Sequence, residues 1–172
     1  MNIEYLIFNL IIIYGPLALS FDEKVAFYKK WKYVFAAIGL MMIPFIIWDI
    51  VVTGRHWWFN EKYTLNFAFA GLPIGEWLFF ITVPYALLFV WEVFAAYFKN
   101  REIRFLHPVR SIAHFGMIPG FILFYYGKEY TGLVFIALAV TAFLDRLFKT
   151  GVYLQKRTIH LLLLNVALTS FF

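Results

Sequence analysis

The sequence contains no cysteine, which excludes disulfides, thiolate catalysis and cysteine metal sites. It has no G-x-G-x-x-G after a strand, no phosphate-binding loop and no H-E-x-x-H. It therefore offers no sign of a nucleotide, flavin or zinc site, and the expectation is no cofactor and no metal. Charge is scarce as well, at 15% of 172 residues. The net charge of +5 does not point to nucleic acid, because the basic residues lie between apolar runs and suit membrane flanks.

Apolar residues dominate. They make up 63% of the chain, with 23% aromatic and a mean hydropathy of +0.78. Runs of this length match a hydrocarbon layer that takes about 20 helical residues to cross. In lipid, backbone groups must be satisfied within the segment, so helices follow. The expected fold is an all-α, polytopic transmembrane helix bundle. Six apolar segments are visible, near 3–20, 33–53, 74–97, 109–126, 130–147 and 158–172. Pro16, Pro44, Pro84 and Pro119 fall inside segments, whereas Pro73 and Pro108 open the third and fourth. No signal-peptide cleavage pattern follows the first segment.

Twelve of the fifteen basic residues lie between segments one and two, three and four, or five and six. The positive-inside rule then predicts a multi-pass protein of the cell (inner) membrane with its N-terminus outside.

That topology sets Glu76, in the first turn of the third segment, at the same membrane level as Asp49, near the end of the second. Arg55, His56, Trp57, Trp58, Asn60 and Tyr63 fill the loop between them. Glu76 could merely complement the helix dipole, and the tryptophans could form an interfacial belt. Asp49 is harder to dismiss, since an intramembrane carboxylate is functional unless paired. His114 and His160 read as packing residues. Gly71 with Gly75, and Gly116 with Gly120, are spaced for close helix approach.

The stretches LSFDEKVAFYKKWKYVF, FIIWDIVVTGRHWWFNEKYT and LPIGEWLFFITVPYALLFVWE resemble the lycopene cyclase domain family, the small membrane carotenoid cyclases. The resemblance is strongest over 20–95. It implies two copies of a three-helix unit, here 1–98 as the first, 99–128 as a connecting fourth helix and 129–172 as an incomplete second. It also implies a lycopene-like linear carotenoid as substrate, dissolved in the bilayer, and non-redox closure of its ψ-ends into β-ionone-type rings. An acid protonates the terminal double bond, the cation cyclises, and a base removes a proton. A carboxylic acid in apolar surroundings can supply that proton, and aromatic faces can stabilise the cation. By resemblance Glu76 and Asp49 are the catalytic pair, with the division of roles between them left open. Trp48, Trp57, Trp58, Trp77 and Phe80 line the substrate, and His56, Asn60 and Pro73 support the site.

Two features depart from the family. Gly75 stands where its motif puts a second carboxylate, so a glutamate there is expected to raise activity. Aligning FYKKWKY (27–33) with YLQKRTI (153–159) puts the counterparts of Asp49 and Glu76 beyond Phe172. The expectation is a missing seventh segment, or one supplied by a second cyclase subunit or a second copy. A small transporter is the competing class, and a non-catalytic carotenoid-binding or assembly subunit is a third. A retinal protein is disfavoured because no lysine lies mid-segment.

Overall fold

A computed structural model describes residues 3–60, 62–65, 67–99 and 101–169. The protein is helical apart from one small hairpin, and among the described residues it divides into two compact units, Met1–Tyr97 and Phe98–Phe172. Among the described residues, three helices are long and apolar enough to cross a membrane.

The first unit holds α1 (Glu4–Leu19), α2 (Trp31–Val52) and α3 (Ile74–Tyr97). Pro16, Pro44 and Pro84 lie inside these helices, as expected. Each removes one backbone hydrogen bond, which long apolar helices tolerate when their neighbours support them. At the end of α1, Ser20 turns its hydroxyl back onto the Pro16 carbonyl at 2.6 Å. Asp22 then accepts the backbone N–H groups of Lys24 and Val25 at 3.0 and 3.1 Å, which sets the turn toward α2.

Both α1 and α2 pack against α3. The apolar core lies at the lysine-bearing end of the unit, where Phe27, Val34, Ile38, Tyr85 and Phe89 come together. Tyr85 is fully buried, and its hydroxyl meets Ser20 at 2.6 Å and the Trp31 indole N–H at 2.9 Å. A buried phenol costs free energy unless bonded, and these two contacts tie α3 to its neighbours. At the other end, the α2–α3 connection closes with the antiparallel hairpin β1 (Ala68–Phe69) and β2 (Leu72–Pro73). Pro73 is thus the residue before α3. Gly71 makes the turn with φ +82°, a conformation that suits glycine. It takes no part in helix packing.

The second unit corrects the fourth apolar segment. Residues 109–126 are not one helix but belong to two, α4 (Leu106–His114) and α5 (Met117–Tyr125). Pro119 is the cause. It has no N–H to give the Phe115 carbonyl, and its ring would clash with that carbonyl in a continuous helix. The chain responds by tightening, with Phe115 N–H on Ile112 and Gly116 N–H on Ala113. Pro119 therefore sits in the first turn of α5 and kinks nothing. Pro108 lies in the first turn of α4.

Helix α6 (Glu129–Leu147) packs closely on α5 through glycine. A β-carbon on Gly120 would come within 2.9 Å of the Gly132 carbonyl, and one on Gly132 within 2.7 Å of the Gly120 carbonyl. Last comes α7 (Lys156–Thr169). The expected ending at 170–172 lies outside the described residues.

Candidate active site

The hairpin end of the first unit carries a second connected set of polar side chains, apart from the Tyr85 contacts of the core. Asn9 starts it. This asparagine on α1 is 1% exposed and has its bonding capacity filled. Its amide donates to the carbonyls of Tyr5 at 2.9 Å and Gly75 at 3.0 Å, and its oxygen accepts from the Thr82 hydroxyl at 2.6 Å. An asparagine side chain offers two donors and an acceptor. Here all are used, and they clamp α1 onto α3.

Gly75 lets the clamp close. A β-carbon at this position would lie 2.6 Å from Cδ1 and 3.0 Å from Cγ of Tyr5. The missing side chain is the space that the Tyr5 ring occupies. Tyr5 is held further by its backbone N–H on the Tyr63 carbonyl at 3.2 Å, and its ring lies 6.5 Å from that of Phe79. The Tyr5 hydroxyl then donates to Glu76 Oε2 at 2.5 Å, the short end of the range for a carboxylate acceptor.

Asp49 enters from α2 and is 4% exposed. The Trp57 indole donates to its carboxylate, while Oδ2 has no hydrogen-bond partner. The neighbouring Thr53 hydroxyl is likewise buried without a partner. Buried polar atoms of this kind call for a reason. Asp49 lies in the last turn of α2 and Glu76 in the first turn of α3, on either side of the connecting loop. The two carboxylates singled out in the sequence thus stand at the same end of the unit, and Tyr5 on α1 joins Glu76.

The remaining candidates lie on α2, on α3 and in the connection between them. Trp48 on α2 is half-buried, and Trp57 is fixed by Asp49. Trp77 is half-buried, with its N–H on the Phe69 carbonyl at 3.2 Å and its ring 5.2 Å from that of Phe69. Phe80 continues the aromatic series edge-on to Phe79 at 6.0 Å. Trp58 is 72% exposed, and His56 and Asn60 are exposed in the same loop. The Asn60 side chain caps the Lys62 N–H at 3.0 Å, a turn contact.

Other polar residues have structural partners. Glu92 pairs with Lys30 at 2.5 Å. Asp145, 5% exposed, accepts from Thr150 at 2.5 Å, from the Val152 N–H at 2.6 Å and from Arg110 at 3.5 Å. It thus pairs across to α4 rather than with its neighbour Arg146. His114 meets the Arg110 carbonyl at 2.7 Å through Nδ1, although its Nε2 is buried without a partner, and His160 lies 6.0 Å from the Phe98 ring. Among the described residues, no three His, Asp or Glu side chains gather as a metal site would require.

Sequence reasoning missed Tyr5, Asn9 and Thr82. A signal was present, since Asn9 is a lone amide in an apolar helix. Its partners lie 66 and 73 residues away, and no local periodicity reaches that far.

A family profile for lycopene cyclase matches residues 2–94, which takes in α1, α2 and nearly all of α3. No curated protein matches the chain, and no solved structure does.

Proposed function

Because the chain belongs to the lycopene cyclase family, we propose that it closes the ψ-ends of lycopene, or a related linear carotenoid, into β-ionone-type rings within the membrane. The observation that carries this reading is the pair of carboxylates at one end of the matched unit: Asp49 is buried with Oδ2 unpartnered, and Glu76, half-buried, is bonded by Tyr5. An intramembrane acid left unpaired is costly and is retained for function.

The hydrogen bonds support one division of labour. Glu76 accepts from Tyr5 through Oε2, which leaves Oε1 to carry the proton. Glu76 gives this proton to the terminal double bond, whose π electrons form the new C–H bond. The resulting cation is attacked by the next double bond in reach, and the ring C–C bond forms. Asp49, through Oδ2, takes a proton from the carbon beside the new cation, and that C–H pair becomes the ring double bond. One proton enters and one leaves, so no oxidant or reductant is consumed. Asp49 then releases its proton to solvent and Glu76 takes up a new one from solvent, which resets the site. Trp48, Trp57, Trp77 and Phe80 offer ring faces to the cation.

The same reading sets the protein in the cell membrane as a multi-pass chain, with the Lys24–Lys32 loop cytoplasmic and the N-terminus outside. The partner that goes with this reading is a second cyclase subunit or a second copy of this chain. The test is pigment analysis of lycopene-accumulating cells that express the protein. Conversion to cyclic carotenes supports the reading. Lycopene left unchanged beside well-expressed protein would leave a transport or carotenoid-binding role instead.

A further inference from the structure

Tyr5 belongs to no candidate set drawn from the sequence, yet its phenol is the group most tightly joined to Glu76. We propose that Tyr5 is a positioning residue for proton transfer: its hydroxyl fixes Glu76 through Oε2 and stabilises the carboxylate that forms as Glu76 gives up its proton. The proposal rests on the cyclase reading of Glu76.

Three independent features set this hydroxyl in place. The ring fills the space left by the absent Gly75 side chain, touching that position through Cδ1 and Cγ. Asn9 grips the Tyr5 carbonyl and the Gly75 carbonyl together, so the two residues share one rigid support. The Tyr5 N–H is bonded to Tyr63 in the α2–α3 connection. The hydroxyl reaches Glu76 at 2.5 Å from a helix 71 residues away in sequence. Packing alone would be served as well by phenylalanine, which fills the same space and brings no hydroxyl to satisfy.

The chemistry explains what the hydroxyl adds. While Glu76 holds its proton, the Tyr5 bond is a hydrogen bond to a neutral acid. When the Glu76 O–H bond breaks and the carbon–hydrogen bond forms on the carotenoid, negative charge develops on the carboxylate. A hydrogen bond to a charged acceptor is about twice as strong as one between neutral groups. The Tyr5 contact therefore strengthens along the reaction and lowers the barrier more than it lowers the ground state. Tyr5 keeps its own proton throughout, and no further reactant is required.

Tyr5→Phe tests this in membranes carrying the full protein, with lycopene as substrate. Its maximal rate is expected to fall by about ten- to a hundredfold, from the worth of a hydrogen bond to a charged group. KM and thermal stability should stay close to those of the parent, whereas a packing role, which phenylalanine serves as well, would leave the maximal rate unchanged too. Should Tyr5→Phe fail to accumulate, 3-fluorotyrosine at position 5 replaces it. Its more acidic hydroxyl is expected to raise the maximal rate at unchanged KM. An active parent whose rate is indifferent to either change overturns the role of Tyr5 and leaves the cyclase reading standing. A parent that closes no rings overturns both.

Discussion

Tyr5 and Gly75 interlock, with Cδ1 of the tyrosine ring 2.6 Å from where a β-carbon on the glycine would stand. The near atoms belong to the root of a ring whose far end is tied to Glu76, so the ring has no inexpensive way to move aside. The lycopene cyclase resemblance implies a carboxylate at position 75, and from the sequence its absence reads as a defect. The structure gives the glycine a positive reason. Gly75→Glu is accordingly expected to lower ring closure rather than raise it. The overpacking should cost about 1–3 kcal/mol of stability, read as a drop in melting temperature of the detergent-solubilised protein.

Asn9 offers a prediction that is independent of catalysis. Asn9→Leu fills the space but leaves the Gly75 carbonyl and the Thr82 hydroxyl without their partner. Stranding a buried polar group costs about 1–3 kcal/mol. Thermal unfolding should shift down, whereas Asn60→Leu, at an exposed turn, should leave it nearly unchanged.

In the second unit, Gly120→Ala is expected to separate α5 from α6. The added methyl meets Ile136 at 2.7 Å and the Gly132 carbonyl at 2.9 Å, and backbone cannot rotate away. Destabilisation of about 1–3 kcal/mol is expected. Gly127→Ala meets nothing within 4 Å but has φ +75°, so it should cost through backbone strain alone.

The orientation can be read by single-cysteine labelling, which is direct because the chain has no cysteine of its own. Lys29→Cys should resist an impermeant thiol reagent in intact cells, and Arg55→Cys should react. Reversed labelling would overturn the orientation argued from the basic residues.

How much of this was legible in the sequence differs along the chain. Helices α2 and α3 were clear, because long apolar runs leave few alternatives, and Pro44 and Pro84 do not break them. The break between α4 and α5 was not. Hydropathy runs on through Phe115 and Gly116, while the carbonyl that Pro119 cannot satisfy is a matter of backbone geometry. Asp49 and Glu76 stood out as carboxylates in apolar surroundings, and the fold sets them at the facing ends of α2 and α3. Tyr5 was hidden for the opposite reason. An aromatic residue near the end of an apolar helix is unremarkable until its partner is known, and that partner is supplied only by the packing of α1 on α3. Gly75 was noticed, but its meaning depended on the same contact.

The central claim is that a solvent-exchangeable acid at Glu76 protonates the substrate, and product mass tests it most directly. Membranes carrying the protein, equilibrated in D2O and given lycopene, should yield cyclic carotene with one deuterium for each ring closed. Glu76→Gln membranes, at equal protein level, should yield none of this product. Glutamine keeps the side chain's size and hydrogen bonds but has no carboxylic proton to give. Cyclic product without deuterium, or labelled product from Glu76→Gln at the parent's rate, would contradict the account.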